Sequence, residues 1–183
     1  MNSTFRNTIG YRKDLSSDVA SWLNPVQWQL FATLEFTWNI KPETANIKFR
    51  ELINSLERTL RTRICFVNSL ENRSKSGVII FPHYHAAFTA AKIIPCQLVA
   101  SLWNFVIGRS PSESGDLVLV EPFDPAKNGI AFIAKQITDE SCEWDFRNID
   151  LFNGSSQPAQ KTDHATQRSA RRLKAQVDAS PIC

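Results

Sequence analysis

Long apolar runs, paired cysteines and phenol side chains are all scarce in this chain of 183 residues. No stretch approaches the ~20 consecutive apolar residues of a membrane helix, and the polar start MNSTFRNTIGYRKD lacks the apolar segment of a secretory signal. The four cysteines form no CxxC pair, which argues against a zinc ribbon and favours reduced thiols. We therefore expect a cytoplasmic protein without a membrane span.

Neither sign of charge dominates the chain, whose net charge is +3. Residues 153–183 hold five basic and two acidic side chains, so the rest of the chain is neutral as a whole. Within that rest, basic side chains prevail in residues 1–76 and acidic side chains in residues 77–152. This distribution is a dipole, and it differs from that of a uniformly basic nucleic-acid binder.

The length and the local composition predict one folded domain between two less structured ends. Residues 1–24 look like a loose N-terminal arm, and residues 25–152 contain the alternating apolar patterns of a domain. Residues 153–183 have few apolar side chains to bury, which predicts a disordered basic tail.

The apolar patterns of the domain alternate between those of strands and those of helices. Strands are predicted at residues 27–36, 64–71, 78–88 and 116–123, and helices after Pro42, after Pro95 and after Asp124. The order β-α-β-β-α-β-α has one direct β-β step. It predicts an α+β fold of the ferredoxin-like, split βαβ type, with helices packed on an antiparallel sheet.

The segment FPHYHAAFTA holds two of only three histidines, His83 and His85, on either side of Tyr84. Because successive side chains of a strand point to opposite faces, both imidazoles share one face and Tyr84 has the other. This spacing is typical of a two-histidine metal clamp. Pro82 predicts an edge strand or a bulge beside the pair.

Three motifs together resemble those of a known family. FATLEF (31–36) resembles a first strand motif, HYH (83–85) a histidine-hydrophobic-histidine metal motif, and FIAK (132–135) a Y-x-x-K motif on a late helix. In this order they resemble the HUH endonucleases, namely the replication-initiation (Rep) proteins of rolling-circle plasmids and small phages. The resemblance spans residues 27–135 and implies the HUH endonuclease fold.

The resemblance also implies a chemistry. In that family two histidines and a third ligand hold Mg²⁺ or Mn²⁺ against a phosphate of single-stranded DNA at a replication origin. A tyrosine attacks this phosphate and leaves a 5′-phosphotyrosine and a free 3′-OH. Carried over, His83, His85 and Glu71 become the metal ligands, and Lys135 assists with charge. The expected DNA contacts are Thr33 of the first motif and the basic side chains of the first long helix, Lys48, Arg50, Arg58 and Arg61.

The nucleophile of that family is missing, because position 132 is Phe. On a helical wheel Phe132 and Lys135 fall opposite the apolar stripe formed by Ile130, Ile133, Ala134 and Ile137. The other phenols, Tyr84 and Tyr11, are poor substitutes, since Tyr84 points away from the metal face and Tyr11 precedes the domain. Either the tyrosine of an active enzyme was changed, or this is a natural copy that has lost cleavage.

Two other functions fit parts of the pattern. The first is a catalytically inactive DNA-binding or regulatory module on the same fold. The second is a cupin-like metalloenzyme, because Gly77 followed by His83-x-His85 matches the start of the cupin metal motif. A cupin needs a glutamate soon afterwards, which AAFTAAK does not offer, and an all-β barrel.

Overall fold

The computed structural model describes residues 15–73, 79–109, 118–138 and 142–152. Its strands are β1 (Leu30–Glu35), β2 (Ile64–Arg73), β3 (Ile79–Ala90), β4 (Val118–Pro122) and β5 (Glu143–Arg147). Its helices are α1 (residues 15–23), α2 (Pro42–Leu60), α3 (Cys96–Val106), α4 (Gly129–Ile137) and α5 (Ile149–Phe152), and a 3₁₀ turn (Pro125–Lys127) precedes α4.

The five strands form one sheet in the order β4-β1-β3-β2-β5, and every neighbouring pair is antiparallel. Helix α2 links β1 to β2 and helix α3 links β3 to β4, and each link crosses one intervening strand. The expected α+β class, an antiparallel sheet with helices packed on it, is confirmed. In the described part of the chain β4 and β5 are open edges, unlike the closed barrel that the cupin alternative requires.

Helices α2 and α3 cover one face of the sheet and form the larger core. Buried positions on α2 recur at helical spacing, with Phe49, Leu52, Ile53 and Leu56, so this helix presents one apolar stripe to the strands. Trp103 of α3 is fully buried in the same core, where its indole N–H donates to the Glu35 carbonyl at 3.0 Å.

A second core lies on the opposite face of the sheet, beneath α1, α4 and α5. Ile130, Ile133 and Ile137 of α4 pack there against β2 and β3, together with Leu23 of α1 and Ile149 of α5. Because α4 packs mainly on β2 and β3, the side chains that β1 and β4 present beside it are partly exposed. The candidate site lies along this border.

Three parts of the chain differ from the sequence expectation or extend it. Residues 15–23, assigned to a loose arm, form α1, because Leu23 and the following Val26 and Trp28 have an apolar surface to cover. Strand β5 and helix α5 were not predicted. The proposed tail at 153–183 lies outside the described residues.

Strand β3 is central, although it contains Pro82. Its pairing with β2 shifts in register between Glu71 and Arg73, so Pro82 lies beside an irregular stretch of the ladder, where a missing N–H is tolerated. On the other side the Pro82 carbonyl accepts from the Phe36 N–H at 3.0 Å. Of the two expectations for this proline, the bulge matches the structure and the edge strand does not.

Two further findings concern the cysteines and the length of the apolar helices. Within the described ranges, Cys65 and Cys96 are free thiols. Among the described residues, no helix combines the length and the apolar character needed to cross a bilayer.

Candidate metal centre

The paired strands bring two histidines and a carboxylate together on the α4 face of the sheet. His83 is the register partner of Glu71 on β2, and His85 lies two residues further along the same face of β3. The Glu71 Oε2 atom lies 3.4 Å from His83 Nε2 and 3.6 Å from His85 Nε2. All three ligand atoms are within 4.8 Å of one another.

These distances suit a shared cation. Ligand atoms that surround one ion at about 2.1 Å lie roughly 3.0–3.5 Å apart. Between 13 and 16% of each of the three side chains is exposed, so the cluster is partly open to solvent. Three protein ligands leave further coordination positions open, as catalytic metal sites do.

Each imidazole is oriented by a contact at its other nitrogen. His83 Nδ1 lies 3.0 Å from the Phe81 carbonyl oxygen, and because a carbonyl only accepts, this contact favours the tautomer whose lone pair is on Nε2. His85 Nδ1 lies 3.2 Å from Thr33 Oγ1 on β1. Such outer partners fix the rings of metal-bound histidines. Thr33, expected as a DNA contact, therefore also supports a candidate ligand.

His85 is suited to be a neutral ligand. Burial, followed by the proximity of His83, lowers the pKa of His85 to about 4. The imidazole is therefore uncharged near pH 7, which is the form that binds a metal ion.

Helix α4 contributes two side chains to the cluster, Phe132 and Gln136. The Phe132 ring meets the His85 ring edge-on, with centroids 4.7 Å apart, and 39% of Phe132 is exposed. Lys135 is exposed three residues further along the helix. The sequence thus placed Phe132 beside the histidines, and the structure shows its ring against His85.

Gln136 is the site residue that the sequence did not reveal. Its Nε2 donates to Glu71 Oε2 at 3.4 Å, and its Oε1 accepts from the Cys142 thiol at 3.0 Å. Gln136 follows Phe132 by four residues, so both project from the same side of α4. The i, i+4 spacing from Phe132 could have placed Gln136 on the same side of the helix. Spacing alone does not show which strand residue a helix residue contacts.

Tyr84 lies on the opposite face of the sheet from the cluster. It is fully buried in the larger core, and its hydroxyl donates to Asn46 Oδ1 at 2.8 Å. Burial, with the nearby Glu143 and Asp145 carboxylates, raises the pKa of Tyr84. This phenol therefore has neither the position nor the ionisation of a nucleophile for the cluster. Tyr11 lies outside the described residues.

The basic side chains expected to contact DNA belong to α2 or its C-terminal end, in the layer on the other face of the sheet. Lys48 pairs with Glu51 at 2.9 Å, Arg50 approaches Asp145 at 4.0 Å, and Arg58 donates to the Asn54 carbonyl at 3.3 Å. Arg61 ends the helix in a left-handed conformation and is exposed. The structure does not bring these four residues to the histidine cluster.

No known protein family, curated protein or solved structure matches this chain. The chemistry of the cluster and the three ordered motifs are therefore the grounds for a functional assignment.

Proposed function

We propose that this chain is a replication-initiator-like domain of the HUH type that binds single-stranded DNA at a divalent metal centre and lacks the nucleophile for cleavage. The convergence of Glu71, His83 and His85 on one point beside the Phe132 ring carries this proposal. A ferredoxin-like strand order, with the motif strands adjacent at the sheet centre, also fits an HUH domain.

The ligand set favours Mn²⁺ over Mg²⁺. Two imidazole nitrogens and one carboxylate oxygen form a mixed donor set, whereas Mg²⁺ prefers oxygen ligands and retains several waters. When bound, such an ion neutralises charge on a phosphate oxygen of the DNA. The chain's own contribution is to hold the two Nε2 atoms and the Glu71 carboxylate in place, through Phe81, Thr33 and Gln136.

The aromatic ring at position 132 accounts for the loss of cleavage. A phenylalanine contacts His85 where a tyrosine would have its hydroxyl near the cluster, and a ring without oxygen cannot attack phosphorus. We therefore propose that the chain with Phe132 binds single-stranded DNA without cleaving it.

The proposed function is tested by measuring metal and DNA binding together. We expect one Mn²⁺ per chain in titration calorimetry, and fluorescence anisotropy should show that Mn²⁺ strengthens binding of a labelled single-stranded oligonucleotide. The double change of His83 and His85 to Ala should abolish both effects. A matched control is His164→Ala, which changes the third histidine of the chain. Equal Mn²⁺ binding by the double variant would refute the proposal.

A further inference from the structure

A cleft of about 270 Å³ adjoins the candidate metal centre. It lies between β1, β4 and the start of α4, and it shares His85 and Phe132 with the centre. The volume is below the roughly 300–1,000 Å³ of pockets for drug-sized ligands, so it suits a single flat ring system. A ligand at the metal centre would therefore lie directly beside this cleft.

Three phenylalanine rings from different parts of the fold line the cleft. Phe31 comes from β1, Phe123 from the residue after β4, and Phe132 from α4. Gly129 permits their approach, because a Cβ atom there would lie 2.8 Å from the Phe31 ring. Aromatic walls with a few polar groups are typical of ligand clefts, and every nucleobase can stack on such rings.

The charges around the cleft disfavour a phosphate as its occupant. The Lys127 ammonium is 2.7 Å from the Glu121 carboxylate and is thereby neutralised, while Asp124 adds a second carboxylate. A phosphate would meet net negative charge, whereas a base is neutral and offers both donors and acceptors.

We propose that this cleft receives one unstacked base of the bound single-stranded DNA, next to the phosphate at the metal centre. The inference rests on the proposed function and adds a base-binding subsite to it. The base stacks against the phenylalanine rings, and the Glu121–Lys127 pair accepts from and donates to its exposed edge. The chain therefore binds bases as well as the DNA backbone.

Photocrosslinking tests the subsite without knowledge of the binding register. An oligonucleotide of 5-iododeoxyuridine is irradiated with the full chain in Mn²⁺, and the crosslinked residues are mapped by mass spectrometry. We expect crosslinks at Phe31, Phe123 or Phe132. Phe105 is the matched control, because it is 78% exposed on α3 across the sheet and should remain unmodified. Phe123→Ala should weaken oligonucleotide binding about 5- to 150-fold, and Phe105→Ala should not.

A second variant keeps the test valid if Phe123→Ala fails to fold. Exchanging the two charges, Glu121→Lys with Lys127→Glu, preserves both the ion pair and the net charge but moves the donor and the acceptor. It should change the order of affinities for dA, dC and dT homopolymers while leaving Mn²⁺ binding intact. The subsite alone would be overturned if DNA binding depends on the metal, the crosslinks lie elsewhere and the order of homopolymer affinities is unchanged. If no oligonucleotide binds, the proposed function falls and the subsite with it.

Discussion

Gln136 shows at the level of single residues how the cluster is held. Its amide contacts the Glu71 oxygen that faces both histidines, so it fixes the carboxylate without being one of the three candidate ligands. Partners of this kind typically change metal affinity by about 10- to 100-fold.

We therefore predict that Gln136→Leu weakens Mn²⁺ binding by about 10-fold or more without abolishing it, as measured by calorimetry. The matched control is Gln97→Leu, because Gln97 is exposed on α3 in the layer across the sheet. Unchanged affinity in Gln136→Leu would show that the contact with Glu71 does not orient this ligand.

The residues of the site were predictable to different degrees. Strand alternation alone put His83 and His85 on one face and Tyr84 on the other, because the period of two is a property of every strand. Glu71 was selected by resemblance, and its position across from His83 follows from a pairing register that the sequence does not state. Gln136 was missed because its partner belongs to a distant strand.

Single elements show why some parts of the fold were predicted and others were not. Helix α2 has 19 residues with a continuous apolar stripe, so its existence was evident from periodicity. Strand β5 has only five residues, EWDFR, and helix α5 only four, which is too short for a period to emerge. Helix α1 is stabilised by contacts with distant strands, and those contacts are invisible in local sequence.

The start of α4 is the element boundary on which the site most depends. Gly129 lies against Phe31, and an added methyl group would press on that ring at 2.8 and 3.0 Å. Crowding of this kind typically costs about 1–3 kcal/mol. The helix carries both Phe132 and Gln136, so a displaced first turn would also shift the site.

We predict that Gly129→Ala lowers the free energy of unfolding by about 1 kcal/mol or more, as measured by urea denaturation. In a Phe31→Leu background the same change should cost less, because the smaller side chain leaves room for the methyl group. The four proteins form a double-mutant cycle. Additive effects would mean that the two residues do not press on each other.

At the scale of the whole molecule, the two faces of the sheet carry different groups of residues. The face under α2 and α3 holds the larger core and the basic side chains of α2, while the opposite face holds the candidate ligands and the cleft. The basic side chains that prevail in the first half of the sequence are thus not concentrated around the metal centre. We infer that DNA affinity there depends on the metal and on base stacking more than on the α2 cations.

On the proposed function, we infer that this domain retains a metal centre suited to nicking and lacks an oxygen atom at position 132. The direct measurement is a denaturing gel of Phe132→Tyr incubated in Mn²⁺ with a random pool of single-stranded oligonucleotides. Phe105→Tyr is the matched control, since it adds the same oxygen to an exposed ring across the sheet.

We predict a covalent 5′-linked DNA adduct with Phe132→Tyr, and none with the unmodified chain or Phe105→Tyr. Among the described residues, the ring at position 132 contacts His85, whereas Tyr84 is buried on the other face of the sheet. Adding His83→Ala to Phe132→Tyr should abolish the adduct by removing a metal ligand. An adduct from the unmodified chain would contradict the claim, and so would the failure of Phe132→Tyr to form one.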